Sequence, residues 1–316
     1  MDISIIVPLY NEAESLPELT AWIERVMRDF PHSYELLFID DGSRDDSWTV
    51  INRLSERNPC IHAMRFRRNY GKSAALYCGF EAAKGEVVIT MDADLQDSPD
   101  EIPELYRMIK EERYDVVSGW KKKRYDSKIS KNIPSRIYNA ATRCITGVKL
   151  HDMNCGLKAY RNKVVKSIEV YGEMHRYIPV LAKQAGFTRI GEKVVRHCAR
   201  KFGVSKFGMS RFINGFLDLT SVVFVGKFGK KPMHIFGLIG SVVFLAGFIL
   251  TGWVIYEKLH AQAQGLLFRP VTDQPLFYLA LVTLIIGVQL FLAGFIGELV
   301  TRNSSDRNKY LIDETF

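Results

Sequence analysis

Short apolar runs alternate with longer amphipathic stretches over the first 120 residues of the chain. The runs are rich in Val and Ile and predict buried strands at residues 3–7, 34–39, 61–66, from 87 onward, and 115–118. Apolar residues at helical spacing predict helices between them, at about 15–29, 45–57, 73–83 and 100–112. The first helix would begin at Ser15, with Glu18 completing a capping box. This alternation predicts right-handed βαβ units, so the fold class is α/β with a mostly parallel sheet.

The pattern is less regular between residue 121 and residue 204. Residues 121–131 are rich in Lys and predict either a solvated surface loop or a lid that binds phosphates or headgroups. A helix is predicted at 135–145, a turn at 151–156 before an apolar run, a helix at 173–184 and a strand at 187–197. In the turn, Asp152 either points into a cleft or caps the turn itself.

Two later segments are apolar enough to cross a bilayer, at about 233–255 and 276–297. Each exceeds the roughly 20 residues that span about 30 Å of hydrocarbon. Gln289 is the only strongly polar side chain in the second segment, and it could hydrogen-bond a neighbouring helix. The stretch 205–232 combines apolar residues at helical spacing with several lysines, which predicts an amphipathic helix on the bilayer surface.

Basic residues predict how these segments are oriented. Lys and Arg cluster before the first span and after the second, whereas the connecting loop has only Lys258 and Arg269. The positive-inside rule then places both ends of the chain in the cytosol, in an inner or plasma membrane that the chain crosses twice. The sequence shows no signal peptide, so the first domain is expected to stay in the cytosol. The predicted divisions are an α/β domain at 1–204, an interfacial region at 205–232, a hairpin at 233–297 and a cytosolic tail at 298–316.

The net charge of +8 suits nucleic acid, anionic lipid or phosphorylated ligands. No nucleic-acid-binding signature is present, so a nucleic-acid partner is not expected. The five cysteines form no Cys-x-x-Cys motif, and they are expected to be reduced core residues.

Polar clusters follow each of the first four predicted strands. They are Tyr10-Asn11-Glu12, Asp40-Asp41, Arg68-Asn69 with Lys72, and Asp92 with Asp94. The carboxyl ends of parallel strands share one edge of the sheet, so these clusters should converge on one cleft. That convergence predicts a nucleotide or phosphate site. Neither Gly-x-Gly-x-x-Gly nor a Walker A pattern is present, so neither a dinucleotide site nor a P-loop is supported.

Asp92 and Asp94 are the strongest candidates for chemistry. Along an extended strand they would point to the same side, because side chains alternate with a period of two. Two close carboxylates repel each other unless a cation lies between them, and hard oxygen ligands suit Mg²⁺ or Mn²⁺. The alternative is an exposed acidic turn.

Together these features suggest a metal-dependent transferase at a membrane. Such an enzyme would join a soluble nucleotide-linked substrate to a lipid, with the cation neutralising a diphosphate leaving group. Cationic side chains such as Arg200 and Lys206 would lie near the membrane and could hold an anionic headgroup.

Four motifs resemble glycosyltransferase family 2, which has a GT-A fold. They are Val7-Pro8-Leu9-Tyr10-Asn11-Glu12, Asp40-Asp41-Gly42-Ser43, Asn69-Tyr70-Gly71-Lys72 and Asp92-Ala93-Asp94-Leu95-Gln96-Asp97. Within that family the whole chain, including the hairpin, resembles the polyprenyl-phosphate glycosyltransferases. These are similar to dolichyl-phosphate mannose synthase and to bacterial undecaprenyl-phosphate glucosyltransferases.

The resemblance implies roles for individual residues. Pro8, Tyr10, Glu12, Asp40 and Lys72 would line the base and ribose pocket. Asp92, Asp94 and Gln96 would bind Mg²⁺ or Mn²⁺ and, through it, the nucleotide diphosphate. Arg124, Arg136, Arg200 and Lys206 would hold the donor diphosphate and the lipid phosphate, and Asp152 would face the sugar. Asp94, Asp152, Arg136 and Arg200 are the expected catalytic set. Relatives often carry Gly-x-Arg where this chain has Gly119-Trp120-Lys121.

The implied reaction is an inverting transfer from a nucleotide sugar, such as UDP-glucose, a related UDP-hexose or GDP-mannose, to a polyprenyl phosphate. One alternative is a processive polysaccharide synthase of the same fold, although the Gln-x-x-Arg-Trp motif is absent. Another is a catalytically silent membrane protein that binds nucleotide sugars. Small residues in the hairpin, Gly237, Gly240 and Gly247, could pack against copies of the chain and form a homo-oligomer.

Overall fold

A computed structural model of the chain describes residues 1–122, 140, 142–198, 224, 232–265 and 270–303. The predictions for 121–131, 135–145 and 205–232 fall largely outside these residues. The chain divides into two compact units, at residues 1–223 and 224–316.

Strands and helices alternate through the described part of the first unit. Its strands are β1 Ile3–Leu9, β2 Tyr34–Asp40, β3 Ile61–Arg65, β4 Val87–Thr90, β5 Val116–Trp120, β6 Lys158–Arg161 and β7 Ile190–Val194. Its helices are α1 Leu16–Arg28, α2 Ser47–Arg57, α3 Lys72–Ala82, α4 Ile102–Lys110, α5 Asn162–Ser167 and α6 Ile178–Gln184, with 3₁₀ turns at Pro99–Glu101 and Met174–Arg176. In the second unit, α7 is Pro232–Ala263 and α8 is Pro275–Asn303, with a 3₁₀ turn at Val271–Asp273 between them.

The described strands form one seven-stranded sheet in the order β3-β2-β1-β4-β6-β5-β7. The neighbours β1, β2, β3 and β4 pair in parallel, and β5 pairs with β7 in parallel. This is the mostly parallel α/β sheet expected for the GT-A fold. It brings the carboxyl ends of the first four strands to one edge.

The strands are apolar on both sides because helices cover both faces of the sheet. Ile5 packs on one face with α1, α2 and α4, while the adjacent Ile6 packs on the other face with α3, α5 and α6. Successive side chains of a strand point to opposite faces, so a continuous apolar run fills both layers. Each fully buried Ile or Leu contributes about 1.5–3 kcal/mol to folding.

Strand β6 is the main feature that the sequence pattern did not predict. It follows the predicted turn at 151–156, lies between β4 and β5, and runs antiparallel to both. Its four residues leave too short a pattern to distinguish a strand from the end of a loop. Through this strand, residues 152–158 reach the edge where the Asp-x-Asp lies.

The strand that leads to the Asp-x-Asp is shorter than predicted. β4 ends at Thr90, and Leu95 has φ of +61°, which an extended strand does not allow. Asp92 and Asp94 therefore follow the strand in a turn. The predicted extension of the strand through both carboxylates is wrong, so strand alternation does not determine which way they point.

The first helix begins without the predicted capping box. Ser15 already has helical backbone angles and makes no side-chain capping bond. Its hydroxyl donates to the backbone carbonyl of Glu12 (2.9 Å) and to Glu12 Oε2 (3.1 Å) instead of accepting from the helix. The helix predicted at 173–184 divides at Tyr177, because Pro179 has no N–H and is tolerated only in the first turn of α6.

The second unit is a pair of long apolar helices. The most apolar 18-residue window has a mean hydropathy of 2.3 in α7 and 2.5 in α8, and only 17% of each window is buried. The segments predicted at 233–255 and 276–297 lie within these helices. Both are long and apolar enough to cross a bilayer, which supports membrane association.

Glycines bring the two helices close together. A Cβ on Gly240 would lie 2.6 Å from the backbone nitrogen of Phe291, and one on Gly287 would lie 2.5 Å from that of Phe244. Gly247 meets the backbone nitrogen of Leu284 in the same way, at 2.8 Å. Gly240 and Gly247 therefore pack within the hairpin, and they do not provide the surface for another copy that the sequence suggested.

We expect Gly287→Ala to destabilise the hairpin by about 1–3 kcal/mol, because the added methyl group meets the backbone of the opposite helix, which cannot move aside alone. Gly252→Ala is the matched control, since a Cβ there meets nothing within 4 Å. Thermal unfolding of the full chain in detergent measures both effects. Equal shifts in the two variants would contradict the packing described here.

Candidate active site

Loops at the carboxyl edge of the sheet hold one another through short polar contacts. The backbone N–H of Asn11 donates to Ser43 Oγ (2.9 Å), and the N–H of Arg44 donates to Asn11 Oδ1 (2.8 Å). The N–H of Glu12 donates to Ser47 Oγ (2.9 Å). The loop after β1 is thus joined to the loop after β2 and to the start of α2.

Asp41 joins the loop after β2 to the loop after β3. Its carboxylate accepts hydrogen bonds from the N–H groups of Tyr70 (2.7 Å) and Gly71 (2.9 Å). Burial raises the pKa of Asp41, and these two hydrogen bonds counteract part of that effect. Gly42 allows the close approach, because it has φ of +73° and a Cβ there would lie 2.5 Å from the Arg68 backbone.

A cleft of about 430 Å³ opens above these loops. It is lined by Tyr10, Gly42, Ser43, Arg44, Arg65, Phe66, Arg67, Arg68 and Asn69. Of the residues expected to bind base and ribose, Tyr10 lines this cleft and Pro8 lies within β1. Asp40 is fully buried, where it accepts the N–H of Ser43 (2.8 Å) and pairs with Arg65 Nε (3.4 Å).

Lys72 lies beside Asp92 rather than along the cleft. It is the first residue of α3, and its Nζ donates to Asp92 Oδ1. Burial alone would raise the pKa of Asp92, but Lys72, Lys121 and Lys158 lower it to about 2. Asp92 is therefore a permanent anion at neutral pH, held within a group of cations.

The turn after Asp92 contains two further acidic side chains, Asp94 and Asp97. Gln96 N–H donates to Asp94 Oδ1 (3.2 Å), which closes the turn around Leu95. Asp97 is fully buried and lies 2.7 Å from Lys121 Nζ. Burial would lower the pKa of Lys121, but Asp97 raises it, so this lysine stays charged. Lys121, which replaces the Arg of the expected Gly-x-Arg, is thus part of the site.

Residues 197 and 198 also contact this turn. Asp97 and His197 form an isolated antiparallel bridge, and the N–H of Cys198 donates to the carbonyl of Gln96 (2.9 Å). These two residues therefore lie beside the Asp-x-Asp turn. Arg124, Arg136, Arg200 and Lys206 lie outside the described residues.

Asp152 lies in the turn before β6 and is buried, with 2% of its surface exposed. Its Oδ1 accepts the N–H of Asn154 (3.2 Å), and Ser118 Oγ donates to its carbonyl (3.3 Å). These two contacts lie within the turn and beside β5.

The same turn brings two residues to the site that the sequence did not single out. A Cβ on Gly156 would lie 2.5 Å from Asp92 Oδ2, so only glycine leaves room for this carboxylate. Lys158 is 3% exposed and donates to the carbonyl of Cys155, and burial lowers its pKa. A lone lysine inside the apolar run Leu157–Tyr160 was the signal that could have identified it.

Asp92, Asp94 and Gln96 supply oxygen donors of the kind that Mg²⁺ and Mn²⁺ prefer. Among the described residues, no group of three or more His, Cys, Asp or Glu side chains could hold a metal. Asp92, Asp94 and Gln96 are the described residues whose side chains would hold such a cation.

Comparison with known proteins agrees with this fold. Residues 4–169 match the family model "Glycosyl transferase family 2". A dodecaprenyl-phosphate galacturonate synthase of Rhizobium johnstonii is 34% identical over 306 residues, covering 96% of this chain and 88% of the relative. An undecaprenyl-phosphate 4-deoxy-4-formamido-L-arabinose transferase of Pseudomonas paraeruginosa is 36% identical over 307 residues, covering 96% and 86%.

A solved structure shares the fold. Glucosyl-3-phosphoglycerate synthase from Mycobacterium tuberculosis, in complex with Mn²⁺, UDP-glucose and phosphoglyceric acid, matches with a TM-score of 0.52 and 18% identity. The match covers 71% of this chain and 79% of that one. Because the family model matches more than half of the chain and the relatives match nearly all of it, the chain belongs to glycosyl transferase family 2.

Proposed function

We propose that the chain transfers a sugar from a nucleotide-sugar donor to a polyprenyl phosphate at the cytosolic face of a membrane. This proposal is carried by the similarity to relatives named for polyprenyl-phosphate products. The similarity extends over 96% of the chain and includes both apolar helices. The Asp-x-Asp site supports the donor half of the reaction, and the hairpin supports a lipid acceptor.

The donor would bind across the carboxyl edge of the sheet. Its nucleoside would occupy the cleft beside Tyr10, and its diphosphate would lie near Asp92 and Asp94. A bound Mg²⁺ or Mn²⁺ would neutralise the charge that develops on the leaving diphosphate. Asp92, Asp94 and Gln96 would hold that cation, and Lys72 and Lys121 add fixed positive charge beside it.

The acceptor would be held by cationic side chains that follow the described part of the first unit. Arg200 and Lys206 are the proposed contacts to the lipid phosphate, with Arg124 and Arg136 contributing to the two phosphate sites. The position of Cys198 beside the Asp-x-Asp turn supports this assignment, because Arg200 follows it by two residues.

The chemistry would be a single in-line displacement. A phosphate oxygen of the acceptor attacks the anomeric carbon, and the bond between that carbon and the donor diphosphate breaks. The electron pair leaves with the nucleoside diphosphate. The acceptor phosphate is already ionised at neutral pH, so the site must position it and does not need a strong base. Asp152 is proposed to face the sugar, and the configuration at the anomeric carbon would invert.

The donor sugars to test are a UDP-hexose such as UDP-glucose, and GDP-mannose. The names of the relatives add galacturonate and 4-deoxy-4-formamido-L-arabinose to this panel. Transfer of radiolabel into an acid-labile lipid fraction would support the proposal. Polymer formation would favour a processive synthase, and binding without transfer would favour a catalytically silent protein.

Asp92→Asn and Asp94→Asn should each lower the transfer rate by about 10²–10³-fold. Each variant would hold the cation less well, so the charge on the leaving diphosphate would be less well neutralised. Asp29→Asn is a suitable control, since Asp29 is exposed at the end of α1. Full activity in both site variants would refute the metal assignment.

Removing divalent cations with a chelator should abolish transfer, and adding back Mg²⁺ or Mn²⁺ should restore it. The readout is initial rate against free metal concentration, with Ca²⁺ as a comparison ion that prefers more ligands. Transfer that persists unchanged in excess chelator would exclude a metal role.

Arg200→Ala should raise the KM for undecaprenyl phosphate by about tenfold or more while leaving the donor KM unchanged, since a hydrogen bond to a charged group contributes about 1.5–3 kcal/mol. Arg28→Ala, an exposed position on α1, serves as the control for a general loss of positive charge. Unaltered acceptor kinetics would remove Arg200 from the acceptor site.

A further inference from the structure

His175 is a titratable side chain at the site to which the proposed chemistry assigns no role. It lies in the 3₁₀ turn Met174–Arg176, beside the start of α3. Its backbone N–H donates to Ser73 Oγ (3.1 Å), and its ring Nδ1 lies 3.1 Å from the same oxygen. Ser73 directly follows Lys72, the residue that pairs with Asp92. The imidazole therefore contacts the residue that follows Lys72 in the chain, and Lys72 in turn pairs with Asp92.

The contact with Ser73 decides which ring nitrogen carries the proton. Ser73 is 1% exposed, so its hydroxyl hydrogen cannot be given to water. The oxygen of Ser73 already accepts the His175 N–H, and among the described residues Nδ1 is the acceptor within reach of its hydrogen. A buried hydroxyl normally finds an acceptor. Nδ1 is then unprotonated, and the neutral ring carries its hydrogen on Nε2.

The surroundings keep this ring neutral. Burial, together with the charges of Lys72, Arg176 and Lys158, lowers the pKa of His175 to about 2, and Asp92 opposes this only in part. Among the described residues Nε2 makes no hydrogen bond, and the side chain is only half-buried. The result is a fixed, neutral N–H donor in a predominantly cationic environment, which suits an anionic acceptor.

We propose that His175 Nε2–H donates a hydrogen bond to a phosphoryl oxygen of a bound substrate. This inference rests on the proposed function, because it requires a phosphate-bearing ligand beside Asp92. Two sources share this chemistry: the diphosphate of the nucleotide donor and the phosphate of the lipid acceptor. A lysine supplies charge from a flexible stem, whereas the imidazole held by Ser73 supplies one donor in a fixed direction. His175 would thus orient the phosphoryl group that the lysines attract.

Two substitutions separate this role from a structural one. The side-chain amide of His175→Gln can take the place of Nε2, and that of His175→Asn can take the place of Nδ1. His175→Gln therefore keeps the proposed donor, while His175→Asn keeps the contact with Ser73. Each variant would be prepared as the full chain in detergent, with its thermal midpoint measured as a check on folding.

The first measurement is calorimetric binding of UDP and GDP in the presence of Mn²⁺, and the second is the KM for undecaprenyl phosphate. We expect His175→Asn to weaken one of the two by about tenfold or more, and His175→Gln to stay within about threefold of the original chain. An effect on nucleoside diphosphate binding assigns the donor diphosphate as the ligand. An effect confined to the KM for undecaprenyl phosphate assigns the acceptor.

The opposite ranking, with His175→Asn retained and His175→Gln impaired, would show that His175 only braces Ser73 and would overturn the proposal. Equal behaviour of both variants and the original chain would also overturn it. If the original chain binds neither nucleoside diphosphate and transfers no sugar, the proposed function itself fails. If the original chain does bind and transfer, the results above concern the role of His175 alone.

A measurement on the unsubstituted chain covers the case in which His175→Asn does not fold. With ¹⁵N-labelled histidine, the ring signal that disappears in His175→Gln identifies His175. We expect a neutral ring protonated on Nε2, whose Nε2 signal shifts when UDP or undecaprenyl phosphate is added. A ring protonated on Nδ1, or a signal that neither ligand changes, would refute the proposal.

Discussion

The other polar groups of the site are arranged around the charge of Asp92, which is only partly exposed. Partial removal from water raises the pKa of a carboxylate unless cations lie close to it. Lys72 at the start of α3, Lys121 after β5 and Lys158 in β6 provide these cations from three separate segments. Gly156 provides the space, because any larger residue would collide with the carboxylate. The site therefore exists only when the sheet is assembled around it.

The acidic pairs of the sequence have different tasks. Asp40 and Asp41 are buried. Asp40 accepts a backbone N–H of its own loop, and Asp41 accepts N–H groups of the loop after β3, so they build the edge of the cleft. Asp92 and Asp94 lie beyond the last residue of β4, in a turn in which the buried Leu95 has a positive φ. Strain of this kind is often retained where function requires it. The two pairs look alike in the sequence, and their surroundings distinguish them.

Much of the architecture could be predicted because local patterns report burial. Continuous apolar runs predict strands that helices cover on both faces, and the two long apolar segments predict α7 and α8. The main misses have another cause. The antiparallel strand β6 and the end of β4 at Thr90 depend on partner strands elsewhere in the structure. A pattern within one segment carries no information about such partners.

Sequence patterns alone were enough to predict the α/β class, the order of the first elements, the two apolar helices and the Asp-x-Asp with its flanking motifs. These follow from periodicity and from residue chemistry at fixed spacings, which are local properties of the chain. Which polar groups meet depends on the tertiary structure: Lys72 pairs with Asp92, Lys121 with Asp97, and His175 with Ser73, 102 residues away in sequence. The physical reason is that strand order and register, rather than local pattern, set the distances between side chains from different segments.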